Sequence, residues 1–425
     1  MKRVLTFLLL CAAYTCLAQP TLDECQELAG KNYPTIRQYD LIAKSESFSL
    51  ANVSRQWIPQ VTLSAQATWQ SDVPSYPEQM VGMLEAQGVE MPGLQKDQYK
   101  ILLDVNQPIW DGGRAKANKQ IAKADAVANR SSADVDMYVL KNTIDNLYFG
   151  ILLLDERAEQ VQTMINLLDS NLCKVRSMVR NGVAMQSDAD EIEAEKITME
   201  QQLSQIRISD QNSRKMLGLF VGQEIGENAL QRPADIDVST DGNVRPEEML
   251  LNAQISKLSA QEQLVKSSGM PNVSLFAQCF YGYPGFDYFE SMMSTDWSLG
   301  ALVGVRASWN ISSLYTRKNT VQNLKVAQEQ LVVQKDVFTF NNSLQVEKQN
   351  SEIEQLRNAI ANDDKLVELR TSIRRTAESK LNNGVINTTD LLRKITDETS
   401  AKMTRSSHEI ELLQKLYNLK HSTNQ

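Results

Sequence analysis

Between Gly113 and Gly182 the chain holds no proline and a single glycine, Gly150. Within that stretch apolar residues recur in unbroken alternating steps of four and three: Leu140, Ile144, Leu147, Ile151, Leu154, Ala158, Val161, Ile165, Leu168, Leu172, Val175 and Val179. A strict heptad period predicts a continuous helix that supercoils left-handedly against its neighbours. At 1.5 Å per residue, roughly 68 residues make a rod about 100 Å long, against the ~8–20 residues of ordinary globular helices. A second stretch, residues 312–383, also lacks proline and glycine. Its ladder is weaker: Ile353, Leu356 and Ile360 keep the step, and then charges interrupt it.

The segments before the rods have a different period. Val61, Leu63, Ala65, Ala67 and Trp69 alternate with Gln60, Thr62, Ser64, Gln66, Thr68 and Gln70, which predicts a strand with one apolar and one polar face. Residues 71–98, rich in proline and glycine, read as a long loop. Alternation resumes at Tyr99, Ile101, Leu103, Val105 and Ile109, and the first rod follows. Pro271 opens the same change again: Val273, Leu275, Ala277, Cys279 and Tyr281, a loop over 282–296, then Leu299 to Trp309 and the second rod. Thr21 and Glu24 form a capping box for a leading helix that is interrupted near Pro34. Returning helices are expected over 187–219 and 389–419, with a further helix from Pro246 to Ser268.

These pieces repeat in order. Pro59-Gln-Val-Thr-Leu-Ser-Ala-Gln matches Pro271-Asn-Val-Ser-Leu-Phe-Ala-Gln (271 − 59 = 212). Asn181-Gly182-Val183 with Asp188 matches Asn383-Gly384-Val385 with Asp390 (384 − 182 = 202). An internal duplication of about 200 residues accounts for both, with a first repeat over 19–219, a linker over 220–245 and a second repeat over 246–425. Residues 1–18 read as a cleaved secretory signal: Lys2 and Arg3, an apolar run from Val4 to Ala13, and small residues at the cut.

Loss of Lys2 and Arg3 would take the net charge from −8 to −10, which argues against a nucleic-acid partner. Cys25, Cys173 and Cys279 are scattered and odd in number, so neither a disulfide framework nor a thiolate metal site is expected. The two histidines, His408 and His421, have no nucleophile or glycine-rich loop nearby and read as surface residues. An enzyme is not expected, nor a cofactor. Met80, Met83 and Met91 in the first loop read as flexible gap fillers rather than soft-metal ligands.

Strands of about 10–12 residues fit one crossing of an outer membrane. Trp57, Trp69, Trp110, Trp297 and Trp309 all fall in or beside strand ends, where interfacial aromatic belts would place them. A soluble β-sandwich also alternates, but rarely needs two such rods. Four strands cannot close a barrel, and an open edge in lipid leaves unpaired amides, so several chains must pool their strands.

The mature chain resembles the outer-membrane efflux protein family, the TolC-like channels. The points of resemblance are Leu28-Ala29 with Asn32-Tyr33-Pro34, the strand start at Pro59, Pro108-Ile109-Trp110-Asp111-Gly112-Gly113-Arg114, and the two Asn-Gly-Val turns. The resemblance implies an α+β membrane protein: a homotrimer with a shared 12-stranded outer-membrane barrel that continues into a periplasmic helical barrel. It implies that the periplasmic tip docks on an adaptor (membrane fusion) protein beneath an inner-membrane transporter. Asn181, Gly182, Val183, Asp188, Asn383, Gly384, Val385, Asp390 and Arg393 are then the candidates for pore constriction and adaptor docking. The family often carries an acid where this chain has Arg393. The competing reading is a structural, adhesin-like coiled-coil protein anchored by a shared barrel.

Overall fold

The structure, a computed structural model, describes residues 20–88, 93–238, 244–383 and 385–425. The signal segment 1–18, Met91 and Gly384 lie outside the described residues. Two helices, α1 (Leu22–Asn32) and α2 (Ile36–Arg55), lead in. Thr21 and Glu24 cap α1 reciprocally: the Thr21 amide donates to Glu24 Oε2 at 2.8 Å and the Glu24 amide to Thr21 Oγ1 at 3.3 Å. Tyr33 is extended, as a residue before proline prefers, and that ends α1.

Then come β1 (Gln60–Trp69), α3 (Glu78–Glu85), β2 (Asp97–Trp110) and the first rod, α4 (Arg114–Arg180), which is continuous over 67 residues. Its return is α5 (Gln186–Val221). The second half holds α6 (Pro246–Ser268), β3 (Asn272–Tyr283), α7 (Tyr288–Met293), β4 (Ser298–Ser308), the second rod α8 (Ser313–Asn382) and its return α9 (Thr388–Thr423). No helix among the described residues is long and apolar enough to cross a membrane.

Neither expected loop is structureless. The stretch 71–98 contains α3, which follows Pro77, and β2 begins at Asp97, opposite Trp69. The stretch 282–296 contains α7, because Asp287 accepts from the amides of Phe289 and Glu290 and so caps a single short turn pair. β3 itself runs on to Tyr283.

The chain divides into two compact units, each drawing on both halves of the sequence. One comprises Leu41–Asn129 and Leu251–Val333. It contains a four-stranded antiparallel sheet in the order β1-β2-β3-β4, in which β2 and β3 join the two strand pairs. Leu94, Tyr283 and Met292 form a small core beside it, with Val73 and Tyr76 packed against them.

The other unit takes the described residues up to Asp40, Arg130–Leu250 and Gln334–Gln425. Its main core gathers Cys25, Ile144, Tyr148, Ile151, Leu217, Ile225, Leu230 and Leu413. The irregular stretch after α5 is tied down by Arg214, which is 3% exposed. Its guanidinium donates to both Asp155 oxygens at 2.6 and 2.7 Å, to Asp210, and to the carbonyls of Gly226 and Asn228 at 2.7 and 2.9 Å. Every nitrogen of the fork is used, which offsets the cost of burying the charge.

Neither histidine is a bare surface residue. His421 stacks on Tyr138 with ring centroids 3.9 Å apart, and His408 Nδ1 lies 2.6 Å from Asp363 Oδ2. Burial, aided by the Arg245 and Lys141 cations, lowers His421 to about 4. Cys25, Cys173 and Cys279 are free thiols, and burial pushes Cys25 up to about 12.

Candidate functional site

Strand register sorts the side chains of the sheet into two faces. Val61 pairs with Val105, Leu63 with Leu103 and Ala65 with Ile101. Leu103 continues to Cys279, Val105 to Ala277 and Ile101 to Tyr281. Those reach Ala301, Val303 and Leu299 on β4. Over these levels the four strands share one face without a charge, Asp97 opposite Trp69 being an acid only at the strand end, and that face is bare: Leu63 is 71% exposed, Leu299 74% and Val303 75%. β1 and β4 form the two edges of this sheet.

The opposite face carries Gln60, Thr62, Ser64 and Gln66 on β1 and Lys100, Asp104 and Asn106 on β2. Gln278 donates to Asp104 Oδ2 at 2.6 Å. Two aromatic rings on this face meet cations: Arg306 sits 4.5 Å over Phe276 and Lys100 5.2 Å over Phe280.

The tryptophans stand at both ends of the strands and all are exposed. Trp69 and Trp297 mark one end, where Tyr99 stacks on Trp297 at 6.2 Å. Trp57, Trp110 and Trp309 mark the other, with Trp309 Nε1 donating to the Gly269 carbonyl at 3.0 Å. From Trp297 to Trp309 is about 40 Å along an extended strand.

The turn residues form a second cluster, in the helical unit. Gly182, at φ 74°, ends α4 in the left-handed region that favours glycine. The Val183 amide donates to the Met178 carbonyl at 2.9 Å, and the Val385 amide to the Lys380 carbonyl at 2.9 Å, so both turns close with the same bond. Asp188 accepts from the Met185 amide at 2.9 Å, and the Asp390 amide donates to Asn387 Oδ1 at 2.8 Å. Asp188 thus caps the first turn of its helix, where an acid also suits the helix dipole.

The two hairpin ends meet. Thr389 Oγ1 donates to Glu191 Oε2 at 2.8 Å, and Leu168, Leu172, Val175, Ile192, Leu391 and Ile395 share one core. Val183, Met185 and Val385 stay exposed at 70%, 74% and 67%. Arg393 is exposed, and among the described residues no ion pair joins it to Asp390. The Arg214 hub and the cation–ring pairs escape sequence reading, because their partners are far apart in the chain; only the Asp210 to Arg214 spacing of four is a local signal.

No protein-family model and no curated protein sequence matches this chain. Solved structures do. VceC, an outer-membrane protein of Vibrio cholerae, superposes with a TM-score of 0.71 at 14% identity, covering 95% of each chain. The MtrE outer-membrane channel of Neisseria gonorrhoeae gives 0.68 at 14% identity over 96% of this chain and 89% of its own. The CmeC outer-membrane channel of Campylobacter jejuni gives 0.66 at 12% identity over 95% and 86%. With a bare apolar sheet, two long helical hairpins and these likenesses over nearly its full length, the chain has the fold of the TolC-like outer-membrane efflux channels.

Proposed function

We propose that this protein is an outer-membrane channel of a Gram-negative bacterium, with a periplasmic helical domain, that passively conducts cargo delivered by an inner-membrane transporter through a periplasmic adaptor. The observation that carries this reading is the four-stranded sheet with an apolar bare face and two open edges. Such a face suits lipid, and such edges are untenable there unless another chain pairs with them. Three chains supply twelve strands, enough for an open, water-filled interior lined by the polar face. At a tilt of ~40° the two tryptophan levels stand roughly 30 Å apart, close to the ~25 Å apolar band of such barrels.

The halves 19–219 and 246–425, joined by 220–245, are two copies of one design, and the matching bonds of the two turns support that. The turns at 181–183 and 383–385 are the adaptor-docking and pore-closing end, since each follows a helix about 100 Å long. There Arg393 acts as a latch: it pairs with Asp390 of a neighbouring copy and holds the aperture shut. The duplication favours the duct over an adhesin, because paired rods from pooled chains make a closed wall of helices, whereas an adhesin would place its rods outside.

The test is native mass measurement of the purified protein in mild detergent, followed by planar-bilayer recording. A trimer with discrete conductance is expected. A folded monomer, or a trimer that does not conduct, overturns the reading.

A further inference from the structure

The polar face of the sheet is not evenly polar. Leu302 on β4 pairs with Gln278, and Gln278 with Asp104; four residues away in one direction lies Arg306, and four residues away in the other Ser298 leads through Gly282 to Lys100. Positive, negative and positive side chains thus occupy levels about 13 Å apart along the strands. The negative one is engaged, since Asp104 accepts the Gln278 amide at 2.6 Å. Both positive ones are exposed and carry no ion pair among the described residues; each stands over a phenylalanine ring instead.

Glycines on β4 seat those rings. A Cβ at Gly300 would fall 2.1 Å from Phe280, and one at Gly304 2.9 Å from Phe276. The rings therefore lie against bare backbone, which fixes their position, and Phe286 packs edge-on against Phe280 at 4.5 Å. The Arg306–Phe276 pair presents a cation and a half-buried aromatic surface side by side, whereas Phe280 is buried and only seats Lys100. An anion can meet the cation while a flat apolar body lies along the ring.

We propose that Arg306 with Phe276, and Lys100 as a second level of positive charge, form the cargo-selecting element of the barrel, and that the cargo class is organic anions with a flat apolar body. This rests on the channel reading above, with the polar face lining water. In a trimer the pairs make two rings of cations, the arrangement that favours anion passage.

The experiment uses the full chain in planar bilayers under a KCl gradient at ionic strength near 0.1 M, where screening acts over about 10 Å. Arg306→Gln and Lys100→Gln should each raise the potassium-to-chloride permeability ratio about twofold. Asp104→Asn should move it the opposite way, a sign test that does not depend on either cation variant folding. Naphthalene-2-sulfonate should reduce the parent's current, with about tenfold weaker block in the Arg306→Gln variant. A conducting parent whose reversal potential and sulfonate block are unmoved by all three substitutions overturns this proposal alone. A parent that does not conduct overturns the channel reading, and this proposal with it.

Discussion

The two helical hairpins have nearly the same length and turn, yet their seams are made of different material. Along α4 the heptad residues are buried: Ile144, Ile151 and Leu168 at 0%, Val161 and Val175 at 1%. Of its ion pairs to α5, Arg176 with Glu193 and Lys196 with Asp169 lie on the outside, and the one buried pair is Arg214 with Asp155. Between α8 and α9 charges make the middle of the seam. Glu398, 3% exposed, takes Arg374, Lys402 at 2.9 Å and Thr371 at 2.8 Å. Arg370 meets Asp397 at 2.7 Å, and His408 meets Asp363 at 2.6 Å. Ile353, Ala377 and Leu381 of α8 join apolar cores with α9 towards the ends of α9, but other apolar residues of α8 point elsewhere: Val337, Phe340 and Leu344, and again Leu366, Leu369 and Ile373, are exposed at spacings of three and four. An apolar seam gains from every buried methylene and ignores salt and pH. A charged seam gains little on balance but is costly to break on one side. The first hairpin is therefore a fixed wall, and the second depends on its surroundings.

The largest effect should come from breaking the fixed wall. Leu168→Asp loses a fully buried leucine and buries an unpaired charge, at a cost of at least about 4 kcal/mol. Loss of trimer and of the thermal transition is expected. Leu154→Asp, at a half-buried position, should cost about half as much. Equal melting of Leu168→Asp and the parent would mean that this ladder is not the seam.

On the charged seam, Glu398→Gln should cost about 3 kcal/mol, because Arg374 loses its buried partner. The double substitution Glu398→Leu with Arg374→Leu should recover most of that loss, since replacing both charges removes the desolvation cost. Hydrogen exchange followed segment by segment should show α8 and α9 loosening in 1 M salt while α4 and α5 hold. Identical salt responses in the two hairpins would erase the distinction.

A smaller effect joins the hairpins, where His421 at the end of α9 stacks on Tyr138 of α4. Its folded value is about 4 against an ordinary 6.5, so the unfolded chain binds the proton first and stability falls as pH drops from 6.5 towards 4. Asp145 acts in the opposite sense. Burial raises it to about 6 from 3.8 despite the Gln26 hydrogen bond, so stability falls as pH rises from 3.8 towards 6. The two offset each other in the parent. Melting curves of His421→Gln should show stability rising between pH 6 and 4 relative to the parent, and those of Asp145→Asn a steeper acid loss. Parallel pH profiles for all three proteins would contradict these assignments.

The rods, the strands and the turns were legible because each is written in short-range periodicity. Leu140 to Val179 shows period seven, Val61 to Trp69 period two, and both Asn-Gly-Val turns precede an acid near a helix start. The charged seam was not legible: Arg374 and Glu398, or Asp363 and His408, sit on different helices, and only their packing brings them together. There the interruption of the ladder was visible but not its meaning. The sheet faces were legible by alternation, whereas the cation–ring pairs needed the β2–β3 and β3–β4 registers. Burial of His421 follows from a tyrosine far away in sequence, which no local pattern records.

The last prediction touches the hairpin ends, where the comparison narrows to one position. Asp188 and Asp390 correspond across the repeat, and three residues later the first copy has Glu191 and the second Arg393. Glu191 is engaged within the chain, accepting from Thr389 at 2.8 Å, whereas Arg393 is exposed and has no ion pair among the described residues. In a trimer the turns bring several carboxylates into one aperture, where like charges repel, and Arg393 is the group suited to bridge them between copies. Since it supports no packing within the chain, Arg393→Ala should leave melting within about 0.5 kcal/mol of the parent. Resting conductance should nonetheless rise and shift towards cations, as the carboxylates lose their counter-charge. Arg393→Lys should keep most of the closed state, because a point charge still bridges, although it lacks the fork geometry of the guanidinium. Single-channel records that match the parent in conductance and ion preference would show that the exposed arginine is solvated and bridges nothing, and that the two hairpin ends differ in sequence but not in role.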